Sequence, residues 1–320
     1  MNMSKLARLV GVSVATVSKA FSGSKEISDI TREKIFSVAR EEGCYDKYCK
    51  ALYTAPVIAI ICPEFKSRYY SEQLSLLESE IRNHGGTAIV ACTDFDKDRQ
   101  EELLTFFTEY SKVDGIIMYS PVTDKKYSVP IVSIGEHDVY SCVTLSNKKA
   151  TYEAIQHFKE YGHRDIAFIS EPHTSGSLER FAEIMKECNL PIKEEYMTSS
   201  KHRFELAGYE AMERLLSLPK PPTAVIAAYD DIAIGAMKCI RDRGKKVPDD
   251  ISLIGYNDIK ETPYLDVPLT TVTSYNEDFC QVVVDLVFEQ ISSPAGNIHK
   301  KINISTELVK RGSVGPVKGE

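Results

Sequence analysis

From Pro56 onward the chain alternates short apolar runs with amphipathic stretches. That alternation restricts it to parallel sheets covered by helices. Residues 57–62 (Val57, Ile58, Ala59, Ile60, Ile61, Cys62) contain no charged or strongly polar position, as a strand buried on both faces requires. Runs at 87–92, 115–120 and 130–134 follow, separated by 71–84 and 97–111, where apolar residues recur at helical spacing. A second series has strand-like runs at 166–170, 196–199, 224–228 and 251–255, and helical patterns at 148–161, 178–188, 205–218 and 230–243. Gly244 closes the last of these and Pro248 follows. Two such series predict an α/β body of two doubly wound parallel-sheet lobes. Ligands of such sheets bind beyond the carboxyl ends of the strands, so a cleft between the lobes is the expected site.

Residues 1–44 follow a different pattern. Asn2 is placed to cap a helix whose face carries Leu6, Leu9 and Val10, and Gly11 stops it. Ser13 caps a second helix, 14–21, and Ser28 caps a third, 29–42, with Ile30, Ile35, Val38 and Ala39 as its apolar face and Gly43 at its end. Short helices joined by a glycine turn form an all-α helix-turn-helix head, in which the start of the second helix meets base edges in the major groove. Val14 and Ala15 offer apolar contacts there, for example to a thymine methyl, and Lys19 offers a donor to guanine. Ser4, Ser13, Thr16 and Ser18 carry hydroxyls suited to phosphate oxygens. A plain three-helix bundle with Lys19 on a solvated face fits the same pattern.

Charge separates the two parts. Nine basic against six acidic residues leave 1–54 at +3, whereas the whole chain is −7 and the remainder therefore −10. A basic head on an acidic body confines nucleic-acid contact to the head. The eight cysteines form no C-x-x-C pair, which predicts reduced core thiols rather than a metal or disulfide framework. The seven histidines show no metal-ligand spacing, and H-E-x-x-H, G-x-x-x-x-G-K-[ST], G-x-S-x-G and G-x-G-x-x-G are all missing. No enzymatic site, metal or cofactor is therefore expected. The start lacks an apolar h-region and a cleavage site, and no apolar run reaches ~18 residues. Residence in the cytoplasm is the expectation.

Two motifs of the head resemble those of the lactose-repressor (LacI) family. Gly11-Val12-Ser13-Val14-Ala15-Thr16-Val17-Ser18-Lys19 is similar to G-V-S-x-x-T-V-S-R, and Ile27-Ser28-Asp29-Ile30-Thr31-Arg32-Glu33-Lys34-Ile35 to V-S-x-x-T-R-x-K-V. Lys19 replaces an arginine and so lacks its bidentate fork. The resemblance implies a domain plan of 1–44 head, 45–55 hinge and 56–320 effector-binding and dimerisation body. The family's hinge becomes helical on DNA and wedges a leucine into the minor groove. By position Leu52 is that wedge and Lys50 replaces an arginine, although Pro and Asn of the family pattern are missing and Leu52 could equally pack on the body.

The likeness continues through the body. Val113-Asp114-Gly115-Ile116-Ile117, Gly162-His163-Arg164-Asp165-Ile166, Asp230-x-x-Ala233-x-Gly235-Ala236 and Gly255-Tyr256 match family motifs. A periplasmic-binding-protein-like body is implied, used as a homodimer on palindromic operator DNA. Arg180 stands at the family's S-x-x-R arginine and would clamp a diol or carboxylate; a surface salt bridge is the alternative. Tyr69 and Tyr70 stand where an aromatic pair stacks on a sugar face, unless they serve lobe packing. Asp94, Ser120 and Phe204 match other cleft positions, with a helix N-cap as the alternative for Asp94. Tyr229 replaces an asparagine and Asn257 an aspartate, which alters charge and hydroxyl preference. His163 is expected to be a turn residue. The implied function is a transcriptional repressor of carbohydrate-use genes switched by a sugar or derivative. The alternative is a body that answers to a protein partner or to a non-sugar metabolite such as a nucleobase.

Overall fold

The computed structural model describes residues 1–49, 55–111, 113–274, 276–293 and 299–318. The chain divides into two compact units, Met1–Pro56 and Val57–Glu320.

The first unit contains α1 (Met3–Val10), α2 (Val14–Phe21), α3 (Asp29–Glu41) and α4 (Tyr45–Cys49). The three expected caps form. Asn2 accepts from Lys5 N at 2.9 Å, Ser13 from Thr16 N at 3.0 Å and Ser28 from Thr31 N at 3.2 Å. Gly11 ends α1 at φ +78°, a left-handed turn that glycine adopts without strain. Two expected core residues lie outside: Leu9 is 52% and Ile30 86% exposed. Ile30 precedes the buried Ile35 by five residues, about 140° around the helix, so the two cannot share a face. The expected hinge also begins differently. Residues 45–49 are already helical, and Tyr48 is 7% exposed. Its ring lies 5.4 Å from Phe21 and its hydroxyl donates to Met1 O at 2.8 Å, while Tyr45 packs edge-on against Phe36. Two tyrosines three positions apart share one helical face, so this stretch belongs to the core of the head. Residues 50–54 of the expected hinge, Lys50 and Leu52 among them, lie outside the described residues.

The second unit runs β1 (Val57–Cys62), α5 (Arg68–Asn83), β2 (Thr87–Cys92), α6 (Lys97–Thr105), a π-helical stretch (Phe106–Ser111), β3 (Gly115–Tyr119), β4 (Ile131–Ile134), β5 (Ser141–Ser146) and α7 (Lys148–Glu160). It continues β6 (Ile166–Ser170), α8 (Ser175–Glu187), β7 (Met197–Ser199), α9 (Phe204–Leu216), β8 (Ala224–Ala227), α10 (Asp230–Asp242), β9 (Ser252–Asn257), β10 (Thr270–Thr273), α11 (Asn276–Ser292), β11 (Lys301–Ser305) and β12 (Glu307–Val309). The first lobe has strand order β11-β5-β4-β3-β1-β2 and the second β12-β10-β9-β8-β6-β7. All pairings are parallel except β10 with β12. Leu77, Ile81, Val283 and Val287 of α5 and α11 cover one face of the first sheet, and Leu103, Leu104 and Phe107 the other. Helices α9 and α10 cover one face of the second sheet, and α7 and α8 the other.

The sequence reading missed α11 and the strands β5, β10, β11 and β12. The run Val282-Val283-Val284 gives α11 a β-like signature, and β11 alternates exposed and half-buried positions as an edge strand does. The chain passes between lobes after β5, between β10 and α11, and at Thr306, the single residue between β11 and β12.

Close backbone approach fixes the helix pair of the second lobe. A Cβ on Gly235 would lie 1.8 Å from Glu205 O, and one on Gly208 1.8 Å from Ile232 O. Beside them Asp230 is fully buried, accepting from Thr271 Oγ1 at 2.6 Å and Ile259 N at 3.0 Å. Burial pushes its carboxyl up to about 8 against those hydrogen bonds. His163 is a turn residue, bonded to Thr223 Oγ1 and Gly315 O at 2.9 Å each. The six buried cysteines and half-buried Cys92 are unpaired among the described residues. Among those residues no helix is long and apolar enough to cross a membrane and no side-chain group could hold a metal ion.

Candidate functional site

The exposed surface of the head's second helix carries Val14, Ala15, Ser18 and Lys19, and Ser4 is exposed on α1. The hydroxyls of Ser13 and Thr16 are differently engaged: they bond each other at 2.8 Å, and Ser13 caps α2. Lys19 is hydrogen-bonded to Glu26, and this pair holds the Glu26 carboxyl below its ordinary range. Both partners are largely exposed, at 49% and 69%. An exposed pair of this kind is weak and exchanges easily for another partner.

A cavity of about 480 Å³ opens between the lobes at the carboxyl ends of both sheets. Six of the eight expected effector residues line it: Tyr69, Tyr70, Ser120, Arg180, Tyr229 and Asn257. Two do not. Asp94 and Phe95 form a left-handed turn, at φ +50° and +62°, which puts Phe95 in the cavity wall and leaves Asp94 exposed. The N-cap of α6 is Asp96, so Asp94 does not fill its alternative role either. Phe204 opens α9 and packs edge-on to Tyr229 at 6.2 Å, donating its backbone N–H to the Tyr229 hydroxyl at 3.2 Å. It supports the wall rather than forming it. Asp94, Phe95, Ser120, Phe204, Asn257 and Asp258 all have left-handed φ. Such strain in non-glycine residues collects where a site must be held in shape.

Residues that the sequence reading passed over dominate the electrostatics. Arg203, just before α9, reaches across the cleft to Glu64 of the first lobe and grips both carboxylate oxygens at 2.6 and 2.7 Å. Its Nε donates to Glu171 at 3.1 Å. Glu64 is 4% and Glu171 1% exposed. Burial works against the Arg203 cation, but the two carboxylates more than offset it and raise its pKa. The guanidinium also lies 5.2 Å from the Phe95 ring and 4.5 Å from that of Phe204. A second bridge joins the lobes through Arg68 of α5, which pairs with Glu205, Asp231 and Glu261 of the second lobe. Phe95 stacks on His173 at 3.8 Å, and Lys260 meets Glu72 at 3.2 Å. The one available signal was positional: Glu64 and Glu171 each follow an apolar strand within two residues.

The remaining wall is aromatic and hydroxylated. The Tyr70 and Tyr229 hydroxyls are pushed up to about 12, by burial first and then by the carboxylates Glu64 and Glu171 respectively. Tyr256 reaches about 12 through burial, with its hydroxyl 2.7 Å from Thr151 Oγ1. These groups stay protonated as hydrogen-bonding walls. They surround a space suited to holding a small polar molecule, and none is arranged as a nucleophile with its base.

Comparison with known proteins accords with this geometry. Residues 2–44 match the family of bacterial regulatory proteins of the lacI type, and residues 155–314 the periplasmic binding protein-like domain. The probable transcriptional repressor ExuR of Bacillus subtilis (strain 168) is 31% identical, covering 97% of each chain. The transcriptional regulator MalR of Clostridium butyricum is 26% identical over 98% of this chain and 99% of its own. In structure, the Lac repressor dimer bound to operator and an anti-inducer superposes with a TM-score of 0.74 at 22% identity, covering 98% of this chain and 99% of that one. A CelR–cellobiose complex gives 0.69 at 23% identity, with coverage of 98% and 99%. With its helix-turn-helix head and two-lobed binding body, the chain belongs to the LacI family of DNA-binding transcriptional regulators and is a repressor rather than an enzyme.

Proposed function

We propose that the protein is a cytoplasmic homodimer that represses carbohydrate-use genes from a near-palindromic operator and is switched by a small polar effector, a sugar or derivative, between its lobes. The observation that carries this reading is the inter-lobe cavity of about 480 Å³, walled by Tyr70, Tyr229, Asn257 and Arg180. It is of a size and polarity that suit one small ligand. The named ligands of structural neighbours, cellobiose and ribose, support the same class. Apolar surface supports the dimer: Tyr264 is 88% exposed, and the edge strand β2 presents Ile89 and Val90. An uncovered apolar edge is a liability that a second subunit removes. Calorimetry against sugars and nucleobases is the direct test. Saturable heat with a sugar is expected, and heat confined to nucleobases or absent altogether would overturn the sugar reading.

One observation favours a second reading. The lobes are bridged by the chain's own side chains, Arg203 to Glu64 and Arg68 to Asp231, which gives a partner a fixed surface spanning both lobes. A protein partner that recognises the closed body would suit such a state.

In the head, the DNA-reading role falls to Val14, Ala15, Ser18 and Lys19, with Lys19 exchanging Glu26 for a guanine. Lys19→Ala is expected to relax preference at one guanine by about 1–3 kcal/mol. Glu26→Gln, which frees Lys19 and removes a negative charge, should tighten binding to all sequences and steepen its salt dependence. A binding-site logo that Lys19→Ala leaves unchanged would remove the assignment.

A further inference from the structure

The carboxylate of Glu171 is incompletely used. Its Oε2 accepts from Arg203, but Oε1 is buried with no hydrogen-bond partner among the described residues. Glu171 is 1% exposed and lines the inter-lobe cavity. Glu64, 4% exposed, occupies both terminal nitrogens of the same guanidinium. One cation thus serves two buried carboxylates. Among the described residues no other cation is hydrogen-bonded to either, so this cluster of three groups carries one net negative charge; Arg180, the other arginine of the cavity wall, makes no ion pair with it. Burying such a charge is costly unless something completes its pairing.

We propose that the effector of this cleft carries a protonated amine, as an amino sugar does, and that Glu171 Oε1 receives it. The inference rests on the reading that the cleft binds a small polar ligand. A neutral hydroxyl donates to the orphaned oxygen but leaves the excess charge in place. A carboxylate or phosphate brings a further negative charge to a group that already has one too many. An ammonium supplies the donor and the charge together, as a charge-assisted hydrogen bond. The surrounding wall suits a cation. Tyr70, Phe95 and Tyr229 line the same space, and Arg203 already lies over the Phe95 and Phe204 rings. Tyr70 and Tyr229 are held protonated in part by the neighbouring carboxylates, a sign of the negative field that an ammonium would meet.

The test is calorimetric titration of the full chain with 2-amino-2-deoxyhexoses, the parent hexoses and the corresponding hexuronates, each in the gluco, galacto and manno series. The pH is set low enough to protonate the amine. In whichever series binds, the amino sugar is expected to bind about tenfold to a hundredfold more tightly than the parent hexose, the worth of one charged hydrogen bond. The hexuronate should bind more weakly than either. Glu171→Gln should bring the ratio of amino sugar to hexose to about one, and raising the pH through the amine's own titration should do the same with the native chain. The pH series needs no variant, so it decides the matter even if Glu171→Gln does not fold. Equal affinity for amine and hexose, or tighter binding of the uronate, overturns the amine assignment and leaves the cleft reading standing. Saturable heat with none of the sugars overturns both.

Discussion

Arg203→Ala is expected to destabilise the body by about 3–5 kcal/mol, the loss typical when one partner of a buried ion pair is removed. The reason lies in what remains. Glu64 and Glu171 stay buried at 4% and 1% exposure, now facing each other's charge across the cleft with no guanidinium between. Two buried carboxylates without a cation between them lose the pairing that offsets their burial, and the lobes lose the tie that joins them. Replacing Glu64, Arg203 and Glu171 together by Leu, Met and Met should recover most of it, because apolar side chains of similar volume leave no charge stranded. Urea unfolding of the full chain at neutral pH, followed by a probe in the second unit, measures this. A single-variant loss below about 1 kcal/mol would show that water reaches the pair and that it does not hold the lobes together.

Arg180→Ala is expected to abolish the response to effector and leave effector-free operator binding within about twofold. Arg180 lies on α8 of the second lobe, lines the cavity, and makes no salt bridge among the described residues, so its fork is available to a ligand. The alternative role as half of a surface ion pair has no support. The head is its own compact unit, Met1–Pro56, whereas Arg180 belongs to the other, Val57–Glu320. In the native chain the effector should shift operator affinity about 5- to 150-fold, the range of a coupling of ~1–3 kcal/mol. Operator titrations with and without the effector found by calorimetry give that shift directly. A full shift in the variant would move the clamp elsewhere, with Asn257 and Tyr229 the next side chains to replace.

The geometry also limits what closure can mean here. In this chain the lobes are already tied by Arg203–Glu64 and by Arg68 with its three carboxylates. A ligand acts on such a body only through its different affinity for the tied and untied arrangements. An effector that competes with Arg203 for Glu171 favours the untied arrangement, and one that completes the charge cluster favours the tied one.

Local rules were enough for much of this molecule. The caps at Asn2, Ser13 and Ser28 are decided within three residues of themselves, and each was legible. So were the buried strands β1 and β6, whose unbroken apolar runs leave no other use. Six cleft residues followed from family position, because the carboxyl ends of parallel strands must face the same space. Other features depended on distant partners. Tyr48 belongs to the head only because Phe21 and Met1 are there to meet it. The helix α11 escapes a periodicity reading because its valine run satisfies a strand equally well until a sheet is present to cover. Asp94 leaves the site through two left-handed residues that no propensity anticipates. Above all, Glu64 and Arg203 are 139 positions apart, and their pairing exists only because two separately folded sheets bring their strand ends together. The sequence alone determined most of the elements, the family and the place where a ligand must enter. The tertiary structure decided the charge inside that place, since a charge is compensated or left over only by what stands beside it in space.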